Sequence, residues 1–400
     1  MALPPVVSLD IGTTKIRALV GELREDGYIM VTDIGECPSR GVRKGEIIDF
    51  DKALTCVRAA LQEAEDKGRV TINQVNLVIS GGHIRSLVNR GTIPVMGEGG
   101  EITPDDIEHA KDTARAISLP HDRDTLHTIP QHYFVDDQAG VINPEGMVGA
   151  RLSVSMLIMH GIRNRIHSAI KVVSSAQAEV ANIAFGGLCS ALAVLTPEQK
   201  ESGVILIDLG GGTTDYVIYS GKTISMAGSI GIGGEHVTND LALGLNMPVT
   251  HAEKIKVENG CGIIEESKRN QNVMVPSAGG FTGRTVRLGD IQTIIHARMD
   301  EIIRMVMSEM ESSVNRHHIG AGVVLTGGGA RLRKIEELTG GIFDMPCQAG
   351  IPRNVTGLAT ATEGPEYASA AGMLRYGAKP VDPTGPLAPI TEMFRKFFGG

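Results

Sequence analysis

The stretch Asp208-Leu-Gly-Gly-Gly-Thr-Thr-Asp215 follows the apolar run Val204 to Ile207, which has the composition of a buried strand. In a turn between paired strands, three glycines let backbone N–H groups point into a cleft, and no side chain blocks a phosphate. A carboxylate at the strand end can hold Mg²⁺ through water molecules. One such turn is a weak signal, because an ordinary β-hairpin explains a single turn better.

Two further turns of the same kind strengthen the signal. Asp10-Ile-Gly-Thr-Thr-Lys15 lies 198 residues before the first-quoted turn, and Thr326-Gly-Gly-Gly-Ala330 follows it. Two copies of one pattern indicate two related halves that face each other. The G-x-x-x-x-G-K-[ST] pattern of a Walker-type P-loop is absent from the sequence. The candidate nucleotide-binding residues are Asp10, Gly12, Thr13, Thr14, Lys15, Asp208, Gly210, Gly211, Gly212, Thr213, Thr214, Gly327, Gly328 and Gly329, with Asp10 and Asp208 as the candidates for holding Mg²⁺ through water.

The composition is that of a folded, soluble protein with an excess of glycine. The chain has 400 residues, of which 42% are hydrophobic, 21% are charged and 50 are glycine. A length of roughly 150 residues per domain predicts two or three domains. The net charge of −8 argues against a general nucleic-acid-binding protein, because such proteins carry a basic face.

Cysteine usage and hydropathy predict a cytoplasmic protein. The five cysteines are scattered and form no C-x-x-C pair, which argues against a disulfide framework and against a zinc site. No basic segment followed by an apolar one stands at the N-terminus. No run approaches the 18 consecutive apolar residues of a membrane-spanning helix.

Together, the three turns resemble the two phosphate loops and the adenosine loop of the actin–Hsp70–sugar kinase superfamily. The resemblance implies an α/β, actin-like ATPase fold in which two ribonuclease H-like halves enclose a cleft for ATP and Mg²⁺. The helices predicted at Gly187–Leu195 and Tyr367–Leu374 resemble the two connecting helices of that superfamily. They carry the small residues that a close helix crossing requires, which are Ala191, Ala193, Ala368, Ala370, Ala371 and Gly372. Glu253 and Lys256 fit the spacing of the superfamily's ribose contacts, although a solvated helix face explains this pair equally well. Lys15 is the candidate cation for offsetting phosphate charge.

Local patterns predict several elements. Val42 to Ile48 is strand-like, and residues 51–67 have helical spacing, with Ala53, Leu54, Val57, Leu61 and Ala64 on one side. Thr103 and Asp106 match the T-x-x-D cap of a helix that begins at Pro104. A long helix is predicted from Ile291 to Arg316.

One departure from the superfamily bears on catalysis. Its ATPases place a Glu or Gln at the start of the first connecting helix to position the attacking water, and this chain has Leu188 there. General-base assistance contributes about 10²- to 10⁴-fold to rate. We therefore expect ATP binding with at most weak ATPase activity.

A segment inside the first half carries a more specific signal. It contains His127-Thr-Ile-Pro-Gln-His-Tyr-Phe-Val-Asp136 and Asn143-Pro-Glu-Gly-Met-Val-Gly-Ala-Arg-Leu152, and the stretches Gly45-Glu-Ile-Ile-Asp49 and Ser80-Gly-Gly-His83 precede these. Together the four stretches closely resemble the FtsA family of bacterial cell-division proteins. An α+β subdomain, 1C, is inserted in the first half of that family's fold. The implied division is subdomain 1A (1–82, 161–200 and 357–378), subdomain 1C (83–160), subdomain 2A (201–230 and 301–356), subdomain 2B (231–300), a proline-rich tether (379–389) and an amphipathic membrane-targeting helix (390–400).

The terminal segment carries a separate signal. Prolines at 380, 383, 386 and 389 have the three-residue period of polyproline II, which is stiff and extended. The prolines lead to a predicted helix of nine residues, Ile390 to Phe398. A helix of this length is marginal in water and should fold only on a surface, which could be the protein's own core, a partner groove or a bilayer. The cationic residues beside bulky apolar ones favour an anionic membrane interface. The apolar stripe is Ile390, Met393, Phe394, Phe397 and Phe398, and the cations are Arg395 and Lys396.

The family resemblance implies a function. It implies a peripheral protein at the division site, on the cytoplasmic face of the inner membrane, that binds ATP and self-associates into actin-like filaments. It also implies anchoring of FtsZ filaments through the FtsZ C-terminal peptide, recruitment of later division proteins by subdomain 1C, and contact with anionic lipid. Arg298 is the candidate for the FtsZ contact, with a solvated helix arginine as the alternative. The alternative functions are an adaptor of type IV pilus assembly and an actin-like cytoskeletal filament protein.

Overall fold

Nineteen strands and ten α-helices make up the part of the chain that the structure describes. The structure is a computed structural model, and it describes residues 5–24, 27–277, 282–311, 318–358 and 363–378. The predicted tether (379–389) and terminal helix (390–400) lie outside these residues. The strands are β1 (Val6–Ile11), β2 (Lys15–Leu23), β3 (Ile29–Pro38), β4 (Val42–Arg43), β5 (Glu46–Ile47), β6 (Gln74–Ile79), β7 (Arg85–Pro94), β8 (Arg123–Val135), β9 (Gln138–Val141), β10 (Arg151–Ile162), β11 (Glu179–Phe185), β12 (Val204–Leu209), β13 (Thr214–Ser220), β14 (Thr223–Ile230), β15 (Asn272–Val275), β16 (Arg284–Arg287), β17 (Val323–Thr326), β18 (Cys347–Ala349) and β19 (Val355–Gly357). The helices are α1 (Phe50–Gly68), α2 (Pro104–Arg115), α3 (Arg163–Ser175), α4 (Gly186–Val194), α5 (Pro197–Ser202), α6 (Gly234–Gly244), α7 (Val249–Asn259), α8 (Leu288–Glu311), α9 (Ile335–Phe343) and α10 (Ala368–Gly377).

Two sheets with the same strand order form the two halves. The first sheet runs β11-β6-β1-β2-β3-β19, and the second runs β14-β13-β12-β17-β18. In each sheet the first three strands are antiparallel and the fourth and fifth are parallel to the first. Apart from the short β19, each half has the order third, second, first, fourth and fifth strand. The predicted duplication of the fold is therefore confirmed.

Helix α1 shows how local sequence sets an element that covers the first sheet. The side chain of Asp49 accepts a hydrogen bond from the Lys52 N–H, which satisfies one of the free donors at the helix start. The helix ends where Arg69 adopts a left-handed conformation with φ 50°. Its buried face packs on β3 and includes the predicted core residues Ala53, Val57, Leu61 and Ala64.

Helices α4 and α10 cross closely between the two sheets. A Cβ built on Gly372 would lie 1.8 Å from the carbonyl oxygen of Cys189, so the crossing requires glycine at this position. Ala191, Ala193, Ala368 and Ala371 are also buried in these helices. The predicted need for small residues at the crossing is confirmed.

A four-stranded antiparallel sheet, β7-β10-β8-β9, and helix α2 form an insert between β6 and α3. Thr103 and Asp106 form the predicted capping box at the start of α2, with Thr103 N donating to Asp106 Oδ2 over 2.9 Å. The insert has its own apolar core around Leu152, Val154 and Met156. Strand β9 was not predicted, because its sequence, Gln-Ala-Gly-Val, has no strand periodicity.

Two predicted elements need correction. Val42 to Ile48 was predicted as one strand, but it forms the short hairpin β4–β5, because Lys44 and Gly45 at its tip have φ values of 53° and 75°. The helix predicted at Ile291–Arg316 begins at Leu288 as α8, and the residues after 311 lie outside the described part of the chain. Within the described residues, no helix combines the length and the apolar character needed to cross a bilayer.

Candidate nucleotide-binding cleft

Each half places one carboxylate at the same position of its first strand. Asp10 is the fifth residue of β1, and Asp208 is the fifth residue of β12. Each is followed by a glycine-containing turn, and both turns open onto one cavity of about 320 Å³. The two predicted Mg²⁺-holding carboxylates thus line the same cavity.

The two turns touch each other across the cavity. A Cβ built on Gly211 would lie 2.0 Å from Thr14 Oγ1, and one built on Gly212 would lie 2.3 Å from Thr13 Oγ1. Such separations are far below van der Waals contact, so only glycine permits this approach of the two halves. Thr13 also accepts a hydrogen bond from the Gly45 N–H over 3.0 Å, which ties the first turn to the β4–β5 hairpin.

Most of the predicted nucleotide-binding residues line the cavity, and one does not. Thr214 is fully buried and its hydroxyl donates to the carbonyl oxygen of Ile232 over 2.9 Å, which removes Thr214 from the lining set. The predicted residues that line the cavity are Asp10, Gly12, Thr13, Thr14, Lys15, Asp208, Gly210, Gly211, Gly212, Thr213, Glu253, Lys256, Gly327, Gly328 and Gly329.

A serine hydroxyl from a connecting helix holds each of the two carboxylates. Ser369 of α10 donates to Asp10 Oδ2 over 2.7 Å, and Ser190 of α4 donates to Asp208 Oδ2 over 2.5 Å. Burial raises the pKa of Asp10, and the positive charge of Arg17 opposes this rise. Burial raises the pKa of Asp208 to about 6, and the Ser190 hydrogen bond opposes it.

A third carboxylate, Asp215, was not predicted as a site residue. It pairs across the strands with Asp208, lines the cavity, and accepts hydrogen bonds of 2.6 Å from Ser80 and from Ser229. Burial and then the neighbouring charge of Asp208 raise the pKa of Asp215 to about 7. The sequence signal for Asp215 was its place at the end of the quoted turn, because a hairpin that pairs Leu209 with Thr214 sets Asp215 opposite Asp208.

At the position equivalent to Asp215, the first half carries a cation. Arg17 lies opposite Asp10 in the β1–β2 register and lines the cavity, and its side chain keeps only 15% exposure. Its Nε donates to Glu36 Oε1 over 3.0 Å, and the more exposed Lys15 donates to Glu36 Oε2 over 2.8 Å. The Tyr367 hydroxyl donates a hydrogen bond to the same carboxylate. The Asp10–Lys15 motif predicts Lys15 as the cation that offsets phosphate charge, and Arg17 lies outside that motif.

Glu253 and Lys256 of α7 lie beside α6 at another part of the lining. The Lys256 ammonium donates to the Gly234 carbonyl oxygen (3.1 Å), to Thr238 Oγ1 (2.8 Å) and to Glu253 Oε2 (2.7 Å). Glu253 also accepts a hydrogen bond from Thr238. The pair therefore lines the cavity as one connected polar group that carries both donors and acceptors.

The third glycine turn closes the cavity on the side of the second half. Gly327 has φ 79°, and a Cβ built on it would lie 2.2 Å from Asp208 Oδ1, so this position requires glycine. Val257, Met299 and Leu332 provide apolar lining. Arg331 and Glu366 line the cavity and form a two-point ion pair of 2.7 and 3.0 Å.

The lining fits a nucleotide bound with Mg²⁺. Backbone turns that lack Cβ atoms, threonine hydroxyls and a cation suit phosphates, a connected Lys–Glu–Thr group suits a ribose, and apolar side chains suit a base. In the described part of the chain, no three acidic, His or Cys side chains converge closely enough to hold a metal ion directly. The two residues predicted to hold Mg²⁺ through water, Asp10 and Asp208, both line the cavity.

The remaining predicted positions lie away from this lining. Leu188, the residue where related ATPases carry Glu or Gln, is buried within α4 and does not line the cavity. Arg298 lies on α8 at a separate open groove, where it pairs with Asp240 through Nε (2.5 Å) and Nη2 (3.1 Å) and with Glu301. The predicted membrane-targeting helix, Ile390 to Phe398, lies outside the described residues.

Comparisons with known proteins agree with the fold and the insert. A family profile described as "Cell division protein FtsA" matches residues 205–372, and one described as "SHS2 domain inserted in FTSA" matches residues 81–160. Among solved structures, the PilM-PilN type IV pilus biogenesis complex aligns with a TM-score of 0.64 at 15% identity, covering 94% of this chain and 99% of that one. MreB 5 of Spiroplasma citri bound to AMPPNP aligns with a TM-score of 0.56 at 15% identity, covering 100% and 98%. These likenesses confirm the predicted actin-like fold.

Curated relatives match at higher identity. The chain is 37% identical over 372 residues to cell division protein FtsA of Pseudomonas aeruginosa, covering 93% of this chain and 89% of that protein. It is 34% identical over 379 residues to cell division protein FtsA of Escherichia coli (strain K12), covering 93% and 90%. The chain belongs to the FtsA family of cell-division proteins.

Proposed function

We propose that this FtsA-family protein binds ATP with Mg²⁺ and anchors FtsZ filaments to the inner membrane during cell division. The observation that carries the nucleotide part is the contact of two Asp–Gly–Thr turns, one from each half, around a single cavity. Gly211 and Gly212 permit this contact, and the two turns supply backbone N–H groups and threonine hydroxyls for phosphate oxygens. Mg²⁺ would supply charge neutralisation of the phosphates when bound.

Slow turnover is part of this proposal. No Glu or Gln from α4 is among the described residues that line the cavity, and Leu188 is buried. The Ser190 hydroxyl, which points from α4 toward the cleft, already donates a hydrogen bond to Asp208. A hydroxyl in that state holds the carboxylate and is not a base for water.

An equilibrium titration with a fluorescent ATP analogue tests nucleotide binding. Wild type should bind in the presence of Mg²⁺, and Asp208→Asn should lose at least tenfold in affinity in Mg²⁺ but little in its absence. Asp137→Asn is the matched control, because that carboxylate is fully exposed on the insert. Equal binding by all three proteins would contradict the proposed role of Asp208.

The membrane part of the proposal concerns residues 379–400. Five apolar side chains on one stripe, each contributing about 1.5–3 kcal/mol when buried, can hold a short helix on a bilayer reversibly. Many such helices on one filament would bind firmly, because linked sites multiply avidity. Self-association and membrane residence should therefore be coupled.

Co-sedimentation with FtsZ and anionic lipid vesicles, with and without ATP, tests the coupling. Deletion of residues 390–400 should abolish the recovery of FtsZ with vesicles. Phe394→Asp on the apolar stripe should act like the deletion, whereas Glu392→Gln on the polar face should not. Undiminished vesicle binding by the deletion variant would refute the membrane role of this segment.

For the FtsZ contact we propose the groove lined by Asp240, Leu243, Ile294, Ala297, Arg298 and Glu301. Leu243 is 81% exposed there, which provides an apolar anchor beside the Arg298 guanidinium. Arg298→Glu should weaken binding of the FtsZ C-terminal peptide in a titration. Arg304→Glu is the control, because Arg304 pairs with Asp300 outside the groove lining. Unchanged affinity of the Arg298 variant would remove this assignment.

A further inference from the structure

The insert, residues 81–160, covers the edge of the second half's sheet. Strand β14 is the edge strand of that sheet, and its edge-facing backbone groups bond to side chains of β7 and β8. Ser86 Oγ donates to the Ala227 carbonyl oxygen over 2.6 Å and accepts from the Ala227 N–H over 3.0 Å. One hydroxyl thus substitutes for a neighbouring strand at this point of the edge.

Two longer side chains extend the contact along the same strand. Arg85 Nη1 donates to the Ser229 carbonyl oxygen over 2.8 Å, and Gln131 Nε2 donates to the Ile224 carbonyl oxygen over 2.7 Å. The bonds therefore run from near one end of β14 to the other. The Thr223 hydroxyl of β14 also lies 3.3 Å from His132 Nε2 of β8. The other bonded groups on the β14 side belong to the backbone, so most of the contact follows the position of the strand itself.

The root of the insert belongs to the first half. His127 of β8 is buried, and its Nε2 accepts the Phe185 N–H over 3.0 Å, at the start of the connecting helix α4. Arg123 Nη2 donates to the His83 carbonyl oxygen over 2.6 Å, which closes the base of the insert. The insert consequently bridges the two halves, with its root in one and its β7–β8 face on the other.

The bridge meets the cleft at Ser229. The carbonyl oxygen of Ser229 accepts from Arg85, while its hydroxyl donates to Asp215 Oδ1 over 2.6 Å. Asp215 Oδ2 accepts from Ser80, the residue directly before the insert. A carboxylate that lines the cavity is therefore connected to the insert by two routes, one through each half.

We propose that the insert senses the nucleotide cleft: a ligand that changes the separation of the halves shifts the seating of β7 and β8 on β14. The surface that the insert presents to partners then depends on what the cleft holds. This inference rests on the proposed nucleotide binding. Coupling is reciprocal, so weakening the seat must also change nucleotide affinity, and typical couplings are about 5- to 150-fold.

Amide hydrogen exchange measured by mass spectrometry, together with the nucleotide titration, tests the proposal. The test variant is Arg85→Ala/Ser86→Ala, with Ser86→Ala alone as a milder form in case the double variant unfolds. The matched control is Thr92→Ala, because the Thr92 hydroxyl on the same strand bonds to Ser153 within the insert. Each protein is compared with and without a non-hydrolysable ATP analogue and Mg²⁺.

In wild type and Thr92→Ala, nucleotide should change exchange in β7 and β14 several-fold. In the seat variants this nucleotide dependence should vanish, and the dissociation constant should shift by about fivefold or more. Nucleotide binding without any change of exchange in wild-type β7 would overturn the inference and identify the insert as a fixed brace. Absence of nucleotide binding in the titration would overturn the proposed function, and the inference with it.

Discussion

The two halves of the molecule share one plan but place opposite charges at one equivalent position beside the cleft. In each half, the fifth residue of the first strand is an aspartate, and a serine from a connecting helix donates to its Oδ2. The residue opposite that aspartate in the hairpin register is Arg17 in the first half and Asp215 in the second. The repeated backbone sets positions, and single side chains at equivalent positions set the chemistry.

The difference has a direct electrostatic consequence. Arg17 lies between Asp10 and Glu36, so the first half has a cation to offset its buried carboxylates. In the second half, the charge of Asp208 raises the pKa of Asp215, which burial already raises, and the charge of Asp10 from the first half adds to the rise for both. The second half is therefore the one whose stability should depend on protonation of its cleft.

Asp215→Asn gives the sharpest test of this asymmetry. The pKa of Asp215 is about 7 in the folded protein against an ordinary value of 3.8, so the folded state binds the proton more tightly. That contribution to stability is complete below about pH 4 and is lost as the pH rises to about 7. At about 1.4 kcal/mol per pKa unit, the unfolding free energy of wild type relative to Asp215→Asn should fall by about 4 kcal/mol across this range.

Urea unfolding at several pH values measures this difference. Burial lowers the pKa of His83 and of His127 to about 4, which gives a contribution of opposite sign: it is present above about pH 6.5 and lost as the pH falls. Both proteins carry these histidines, so their contribution cancels in the comparison. A difference that does not vary with pH would break the proposed asymmetry between the halves.

The crossing of α4 and α10 is where the two copies of the plan meet. Gly372→Ala would place a methyl group 1.8 Å from the Cys189 carbonyl oxygen, so the helices must move apart. We expect a loss of about 3 kcal/mol of unfolding free energy, the upper range for overpacking. Gly341→Ala is the control, because a Cβ there meets nothing within 4 Å. If both variants unfold at the same urea concentration, the crossing is not a tight constraint.

Arg17→Ala removes the cation that distinguishes the first half. It leaves Glu36 and Asp10 without their shared partner and removes the guanidinium from its place 5.1 Å from the Tyr367 ring. We expect a loss of about 2 kcal/mol, because Asp10 loses the cation that opposes its burial, whereas Glu36 keeps its bonds to Lys15 and Tyr367. Lys15→Ala should lose about 0.5 kcal/mol or less, since Lys15 is 44% exposed. Thermal and urea unfolding measure both losses of unfolding free energy. A larger loss in Lys15→Ala than in Arg17→Ala would contradict the leading role of Arg17.

The smallest expected effect tests the symmetry itself. Ser190→Ala and Ser369→Ala each remove one hydrogen bond to an equivalent aspartate, so each should cost about 1 kcal/mol of unfolding free energy. Ser168→Ala, which removes an exposed bond to the Asn164 carbonyl oxygen, should have little effect. A large inequality between the two cleft serines would show that the halves hold their carboxylates differently.

Much of the fold could be predicted because short local patterns determine it. The repeated Asp–Gly–Thr turns predict the two sheets, and the Thr103–Asp106 capping box predicts the start of α2. Apolar spacing predicts the buried face of α1. Each of these signals lies within one strand, one turn or one helix.

The missed features all depend on contacts between distant segments. Ser369 and Asp10 are 359 residues apart, and Ser190 faces Asp208 from a helix with no polar pattern. Arg17 and Asp215 become site residues only through strand register. Most bonds between the insert and β14 join side chains to backbone groups, which no sequence motif records.

The insert also has a consequence for aggregation. Strand β14 has eight residues, and an uncovered edge of that length is a template for pairing with another chain. Of the other outer strands of the two halves' sheets, β11 has seven residues, and β18 and β19 have three each. A chain without residues 81–160 would expose β14, so we expect such a deletion to yield insoluble protein through pairing of this edge with another chain.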